Sequence, residues 1–390
     1  MPRANRVLGL ALAGLGLALG SEPAIAADWR IGGTFSQGIS GRQPFGDDRG
    51  DGGLSSSTSL GLSATARTPS TTFTISPSLG FSAAESRNSS DGGNVRFTPS
   101  LRSSLAHRAP RTTLTGSLSV VPQFRSAREF DLILGFDPET GLLEDIPVAR
   151  DVDPLQITVN ASAGVAYTLG PRDSVNLNLS GQVIEYTETI DALPSTRSYG
   201  ATLGWTRGLT PRTSGGLSGS VRRFDTDSDT QSGRTTYSLT PNLSHALSPR
   251  HSASGGIGLT YTDGDDSRLN VNGNARLSYR TAETAVTLGF NQSVQQSDTG
   301  ALDTVSRVSL TASRRLTPRW SGSLATSLSN SAPLGGGDDR QTFSVGPSLS
   351  YALTERWSIS GSYGLIVERQ DGDVRGNNRA ALSVSRSFDF

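Results

Sequence analysis

Apolar residues in this chain recur at every second position, in one short stretch after another from Trp29 to Phe388. Phe73, Ile75, Pro77, Leu79, Phe81 and Ala83 fall on one side of an extended backbone, and Ser and Thr fill much of the other. Successive side chains of a strand point to opposite faces, so a period of two makes one face apolar and one polar, which a helix cannot do. Val95, Phe97, Pro99, Leu101 and Leu105 repeat the pattern, as do the stretches Leu155 to Tyr167, Tyr199 to Trp205, Ile257 to Tyr261, Val271 to Tyr279 and Trp357 to Val367. Most carry an aromatic towards one end, where it suits a membrane interface. The last stretch runs Ala380, Leu382, Val384, Phe388, with Arg386 as its one exception, and the chain ends on Phe390.

Only 34% of the 390 residues are hydrophobic, Gly, Ser and Thr abound, and lysine and cysteine are absent. That is too little apolar material for an ordinary core, and composition alone would class the chain as disordered. Disorder does not set its apolar residues at alternate positions, whereas a membrane barrel needs them on only one face of each strand. The formal net charge of +0 gives no reason to expect a nucleic acid partner. Without cysteine there is neither a disulfide framework nor a lipoprotein attachment site.

A short turn recurs at 67–70, 108–111, 169–172, 209–212, 247–250, 280–283, 316–319 and 353–356, mostly as Leu-Thr-Pro-Arg or a close variant. Apart from one longer interval the turns lie about 34 to 41 residues apart, and each interval holds two alternating runs around a Gly/Asp/Ser-rich connection, as paired hairpins require. Eight turns join sixteen strands. A first strand (Trp29, Ile31, Phe35, Ile39) and the terminal one raise the expectation to about 18, an all-β, transmembrane, antiparallel up-and-down barrel. An even count puts both ends in the periplasm, with the short turns periplasmic and the longer acidic loops extracellular. Pro77, Pro99, Pro241 and Pro347 lie within runs, where each removes a ladder donor and marks a bulge or weak pairing.

Arg3 and Arg6, the apolar stretch Val7 to Leu19 and the small-x-small Ala24-Ile25-Ala26 read as a Sec signal peptide over residues 1–26, leaving 27–390 as one barrel domain. The first strand starts beside that cleavage site, so we expect no plug, periplasmic repeats or secreted passenger. At about 18 strands, side chains alone do not fill the interior, and an aqueous lumen is expected. The longest loop, about 126–154, is unusually apolar (Phe130, Leu132, Phe136) and acidic (Asp131, Glu139, Glu144). It suits a loop folded into the mouth or lumen as a constriction, or equally a strand extension or small helix over the rim.

Alternation also gives the inner face. It carries Ser, Thr and Asn, with Asn270, Asn272 and Asn274 in a row, and its charges are mostly arginine: Arg30, Arg96, Arg102, Arg222, Arg276, Arg307 and Arg379. Guanidinium forks suit carboxylate or phosphate, and Asn, Ser and Thr suit hydroxyls, so the wall favours neutral or anionic polar solutes. Any wet barrel needs a polar lining, however, and loop acids could neutralise these arginines. Carboxylates cluster in the outer loops, among them Asp225, Asp227 and Asp229, whose spacing lacks the remainder of a calcium loop. Those loops are expected to be solvated and bridged to lipopolysaccharide through divalent ions. His107, His245 and His251 all lie beside short turns without a Ser and carboxylate set by spacing. No catalytic residues, metal ligands or cofactor site are expected.

With the signal peptide, repeated hairpins and terminal Phe390 in place, the mature chain resembles a Gram-negative outer-membrane porin-like barrel. This resemblance implies lipid and lipopolysaccharide as surroundings and the barrel assembly machinery as reader of Phe390. Asn94-Val95-Arg96-Phe97-Thr98-Pro99 and Arg108-Ala109-Pro110-Arg111-Thr112-Thr113 further resemble β-barrel porins encoded with exopolysaccharide or exosortase systems. That similarity implies passage of a polysaccharide or support of its export. Three roles are thus expected: a channel for polar, neutral-to-anionic solutes, a barrel dedicated to polysaccharide export, or a non-conducting surface-binding barrel. Sequence leaves monomer and trimer equally open.

Overall fold

The computed structural model describes residues 27–46, 53–86, 94–124, 127–136, 143–152, 155–187, 195–227, 233–264, 267–296, 302–334 and 338–389. The signal segment and Phe390 lie outside the described residues. The strands are β1 (Asp28–Gly46), β2 (Gly53–Arg67), β3 (Thr71–Ser86), β4 (Asn94–Arg108), β5 (Thr112–Phe124), β6 (Ala127–Phe136) and β7 (Leu143–Val152). They continue with β8 (Leu155–Thr168), β9 (Asp173–Tyr186), β10 (Thr196–Thr210), β11 (Thr213–Thr226), β12 (Arg234–Ala246), β13 (His251–Asp263) and β14 (Arg268–Arg280). The last are β15 (Thr284–Gln296), β16 (Leu302–Arg315), β17 (Trp320–Pro333), β18 (Arg340–Ala352), β19 (Trp357–Gln370) and β20 (Asp373–Asp389).

Eighteen of these strands form one sheet in which each pairs antiparallel with its chain neighbours, β5 passing directly to β8. The sheet closes on itself: β20 pairs with β1 from Gly32↔Asp389 to Gly46↔Arg375. Closure removes the free edges that an open sheet of this length would expose. The registers accumulate a stagger of about 22 residues around the barrel, which corresponds to a strand tilt of about 40° and a backbone diameter of about 35 Å. The strand number, the shared side of the two ends and the eight turns agree with the sequence expectation.

The turns are built by their Thr or Ser. The Thr317 hydroxyl accepts the Trp320 N–H at 3.0 Å, Thr354 accepts that of Trp357 at 3.1 Å, Thr281 that of Thr284 at 3.0 Å, and Thr68 that of Thr71 at 2.9 Å. Each side chain thus occupies a donor that the end of a hairpin would otherwise leave free. At the opposite rim one connection departs from expectation. Longer acidic loops were expected at this rim, but Asp371-Gly372 is a two-residue turn with φ of 52° and 86°, and Asp373 already belongs to β20. Positive φ at both turn residues matches the strand twist and favours Asp-Gly there.

Residues directly opposite one another share a face, so the registers sort the whole wall. One face carries Phe35, Leu60, Leu79, Trp205, Leu217, Leu239, Leu259, Leu277, Leu288, Leu328 and Leu382. Among the described residues only Phe224, Leu302 and Leu334 are buried apolar side chains, all at strand ends away from the short turns. A protein with so small a core holds its apolar side chains outward, towards lipid. Aromatic pairs mark the interfaces: Trp320 with Tyr351 at 4.6 Å near the short turns, and Phe81 with Phe97 at 5.0 Å near the other rim. Arg386, the exception in the terminal run, lies 5.2 Å from the Trp357 ring and 4.6 Å from that of Phe388, so its charge sits within the aromatic girdle.

Candidate functional site: the polar inner wall

The second face is mostly polar, with Ile184, Phe224 and Ile366 as apolar exceptions towards the rim. Ser36 and Ser59, Ser40 and Ser55, Ser78 and Ser100, Ser323 and Ser348, and Ser360 and Ser383 are hydroxyl pairs 2.6 to 2.7 Å apart across neighbouring strands. Serine is short enough that these ladders lie flat against the backbone and leave the lumen to longer side chains.

Those longer side chains are the arginines. Register places Arg30, Arg96, Arg102, Arg222, Arg276, Arg307 and Arg379 all on this face, contributed by β1, β4, β11, β14, β16 and β20. Arg102, Arg222, Arg276, Arg307 and Arg379 occupy the middle of their strands and are exposed. Exposure on the inner face means that they reach into open space. Among the described residues no ion pair joins Arg102, Arg222, Arg276, Arg307 or Arg379 to a carboxylate, whereas Arg30 approaches Asp28 at 3.5 Å. The pairs Arg197 with Glu185 and Asp227, and Arg223 with Asp225, stand on the outer face near the rim.

Sequence reasoning passed over Arg42. It lies directly opposite Arg379 in the β1–β20 register, on the same inner face, and Arg379 donates to the Ser40 hydroxyl at 3.0 Å. Two like charges side by side are unfavourable in an empty wall, and an anion between them would relieve the repulsion. Its parity with Arg30 was the signal that could have found it.

The asparagine row is partly structural. Asn272 accepts from the Thr240 hydroxyl at 3.1 Å and donates to Thr260 at 2.9 Å. Thr240 belongs to β12 and Asn272 to β14, and they meet because Gly258 of the intervening β13 has no side chain. A Cβ there would run into Leu239 O, Thr240 Oγ1 and Asn272 Oδ1. The β12–β13 ladder is interrupted at this point, around Pro241. The Nδ2 of Asn270 is buried without a partner among the described residues, and Asn274 is exposed.

The three histidines are tied to hydroxyls. His107 Nδ1 lies 2.8 Å from Thr71, His245 Nδ1 2.9 Å from Thr213, and His251 Nδ1 2.9 Å from Ser248. Each pins a strand end beside a short turn. No group of metal-ligating side chains gathers among the described residues. In the long loop, β6 and β7 form an antiparallel hairpin that pairs only with itself, from Ala127↔Val152 to Phe136↔Leu143. The side chains of Phe130, Asp131, Phe136 and Glu144, and residue Glu139 altogether, lie outside the described residues.

A closed barrel of eighteen antiparallel strands with an apolar exterior and an arginine-bearing polar interior is an outer-membrane, porin-like barrel. Residues 235–382 match the family described as "Putative MetA-pathway of phenol degradation", a match that covers less than half of the chain. No curated protein matches. Solved structures similar to this chain include Pseudomonas aeruginosa OccK7 (OpdD), at 12% identity over 93% of this chain and 99% of that one with a TM-score of 0.49. Acinetobacter baumannii OccAB4 is 12% identical over 94% of this chain and 100% of that one, with a TM-score of 0.47. Pseudomonas aeruginosa OpdK with vanillate is 10% identical over 92% and 99%, also at 0.47. Likeness this distant carries nothing about cargo, and the eighteen-strand closure rests on this chain's own registers.

Proposed function

We propose that this protein is an outer-membrane channel that passes small polar solutes, neutral to anionic, with a preference for anions. The observation that carries the reading is the set of inner-face arginines without ion-pair partners among the described residues, Arg42 facing Arg379 among them. In a water-filled lumen each unneutralised guanidinium raises local anion concentration and lowers that of cations. The protein reaches the membrane through the Sec pathway, with Phe390 read by the barrel assembly machinery and the acidic outer loops held against lipopolysaccharide through divalent ions. The family match described in terms of phenol degradation supports a small aromatic compound as solute. The hydroxyl-bonding Ser, Thr and Asn wall supports a second reading, passage of a polysaccharide, to which the Asn94 to Pro99 segment also points.

Liposome swelling tests the first reading. Vesicles carrying the refolded barrel should admit benzoate clearly faster than benzylamine, a cation of similar size. Equal rates for the two, with folding verified, would contradict it, and entry of oligosaccharides at comparable rates would favour the second reading.

A further inference from the structure

Each short turn accepts one backbone hydrogen bond from the neighbouring strand end. The carbonyl of the last turn residue takes an N–H from Arg108 at Ser70, Thr168 at Arg111, Gly208 at Arg172, Ala246 at Arg212, Arg280 at Arg250, Arg315 at Glu283, Ala352 at Arg319 and Ser387 at Arg356. At most of these junctions a charged residue meets a small neutral one, and at Glu283 and Arg315 it meets the opposite charge. At Arg250 and Arg280, joined N–H to carbonyl at 2.9 Å, arginine meets arginine.

The cause lies in the turn sequences. Most turns carry Leu first and Arg last, but Arg280-Thr281-Ala282-Glu283 begins with Arg and ends with the acid. Arg280 is thereby set against the Arg250 that closes Leu247-Ser248-Pro249-Arg250. Like charges so placed repel. Glu283, the acid nearest in sequence, lines a separate depression together with Arg314 and Arg315. Among the described residues no ion pair joins Arg250 or Arg280 to a carboxylate.

A cavity of about 470 Å³ opens at this junction, within the size range of small-molecule sites. Register puts its wall on the inner face: Ser252 lies opposite Ser278, Ser278 opposite Thr287, and Arg280 opposite Ala285. Ala246 and Ala285, also at its edge, are too short to fill it. Arg276 stands on the same face of β14 as Arg280, with Ser278 between them. Three arginines, Arg250, Arg276 and Arg280, thus border one space that no carboxylate lines. Donor geometry selects the anion. A carboxylate presents two oxygens in one plane and is satisfied by a single guanidinium fork. A phosphate monoester presents three outer oxygens and nearly two negative charges at neutral pH, so it accepts from several forks at once. The hydroxyls of Ser252, Ser278 and Thr287 suit a hydroxylated remainder.

We propose that Arg250, Arg276 and Arg280 bind the phosphate of a small hydroxylated phosphate ester at the short-turn mouth of the barrel, the rest of the ester lying along Ser252, Ser278 and Thr287. The site gives the anion-preferring lumen a solute class, and it rests on the channel reading only for how that solute arrives. The test is calorimetric titration of the refolded protein in neutral detergent with glycerol 3-phosphate, at about 0.15 M salt so that exposed charge is screened. Arg280→Gln should weaken binding about ten-fold or more. Arg250→Glu, which copies the Glu283–Arg315 junction, should abolish binding and, in phosphate-free buffer, raise the urea midpoint above the parent's. Arg172→Gln, at the same turn position but beside Gly208, should leave the affinity unchanged. The ester should bind more tightly than inorganic phosphate, and acetate more weakly than either.

Absence of binding by the folded parent would overturn the proposal. So would equal weakening by Arg172→Gln and Arg280→Gln, which would assign the binding to the basic rim at large, or inorganic phosphate bound more tightly than the ester. A barrel that conducts with anion preference yet binds no ester loses this site and keeps the channel reading. One that binds the ester and passes no ions keeps the site and contradicts the channel reading.

Discussion

Gly258 shows how one missing side chain lets the wall take its shape. Thr240 and Asn272 reach over it from strands two apart. Gly258→Ala should therefore cost about 1–3 kcal/mol by overpacking, visible as a lower urea midpoint in tryptophan-fluorescence unfolding with the barrel otherwise intact. At the turns, Thr317→Val removes the acceptor of the Trp320 and Arg319 N–H groups, at 3.0 and 3.3 Å. By analogy with lost helix caps it should cost about 0.5–1 kcal/mol, and Thr317→Ser should restore most of that in the same assay. Arg386→Leu should remove the contacts to Trp357 and Phe388, at a cost of about 1 kcal/mol. Stability equal to the parent's would mean that this charge in the girdle is incidental.

At the scale of elements, hairpin β6–β7 is separate from the barrel sheet, and β5 and β8 pair without it. Replacing 127–152 by a short Gly-Ser linker should leave the barrel foldable, judged by the heat-dependent gel shift of barrels, and should raise single-channel conductance if the hairpin narrows the mouth. The strands and their turns were legible in the sequence because a one-sided membrane wall writes its period directly into the residues: Phe73 to Ala83 and Leu155 to Tyr167 have no second constraint to blur the pattern. The long loop was legible only as a place, since apolar content does not distinguish a hairpin from a helix over so short a run. The tight Asp371-Gly372 turn was masked by acids that looked like loop composition. Arg42's place opposite Arg379 and the Thr240–Gly258–Asn272 bridge depend on register between different strands, which no single run records.

For the whole molecule, the apolar exterior and the arginine-bearing interior state one claim, that the lumen is wet and favours anions. Among the described residues Arg102, Arg222, Arg276 and Arg307 stand on the inner face without ion-pair partners. In a barrel of about 35 Å backbone diameter the inner-face arginines act on passing ions through their field. The most direct measurement is the zero-current potential of the refolded protein in a planar bilayer under a potassium chloride gradient. The parent should show a chloride over potassium permeability ratio above one, and Arg222→Gln, Arg276→Gln and Arg307→Gln together should bring it down about two- to five-fold. A parent that conducts with cation preference, or a ratio indifferent to the three neutralisations, would contradict the account.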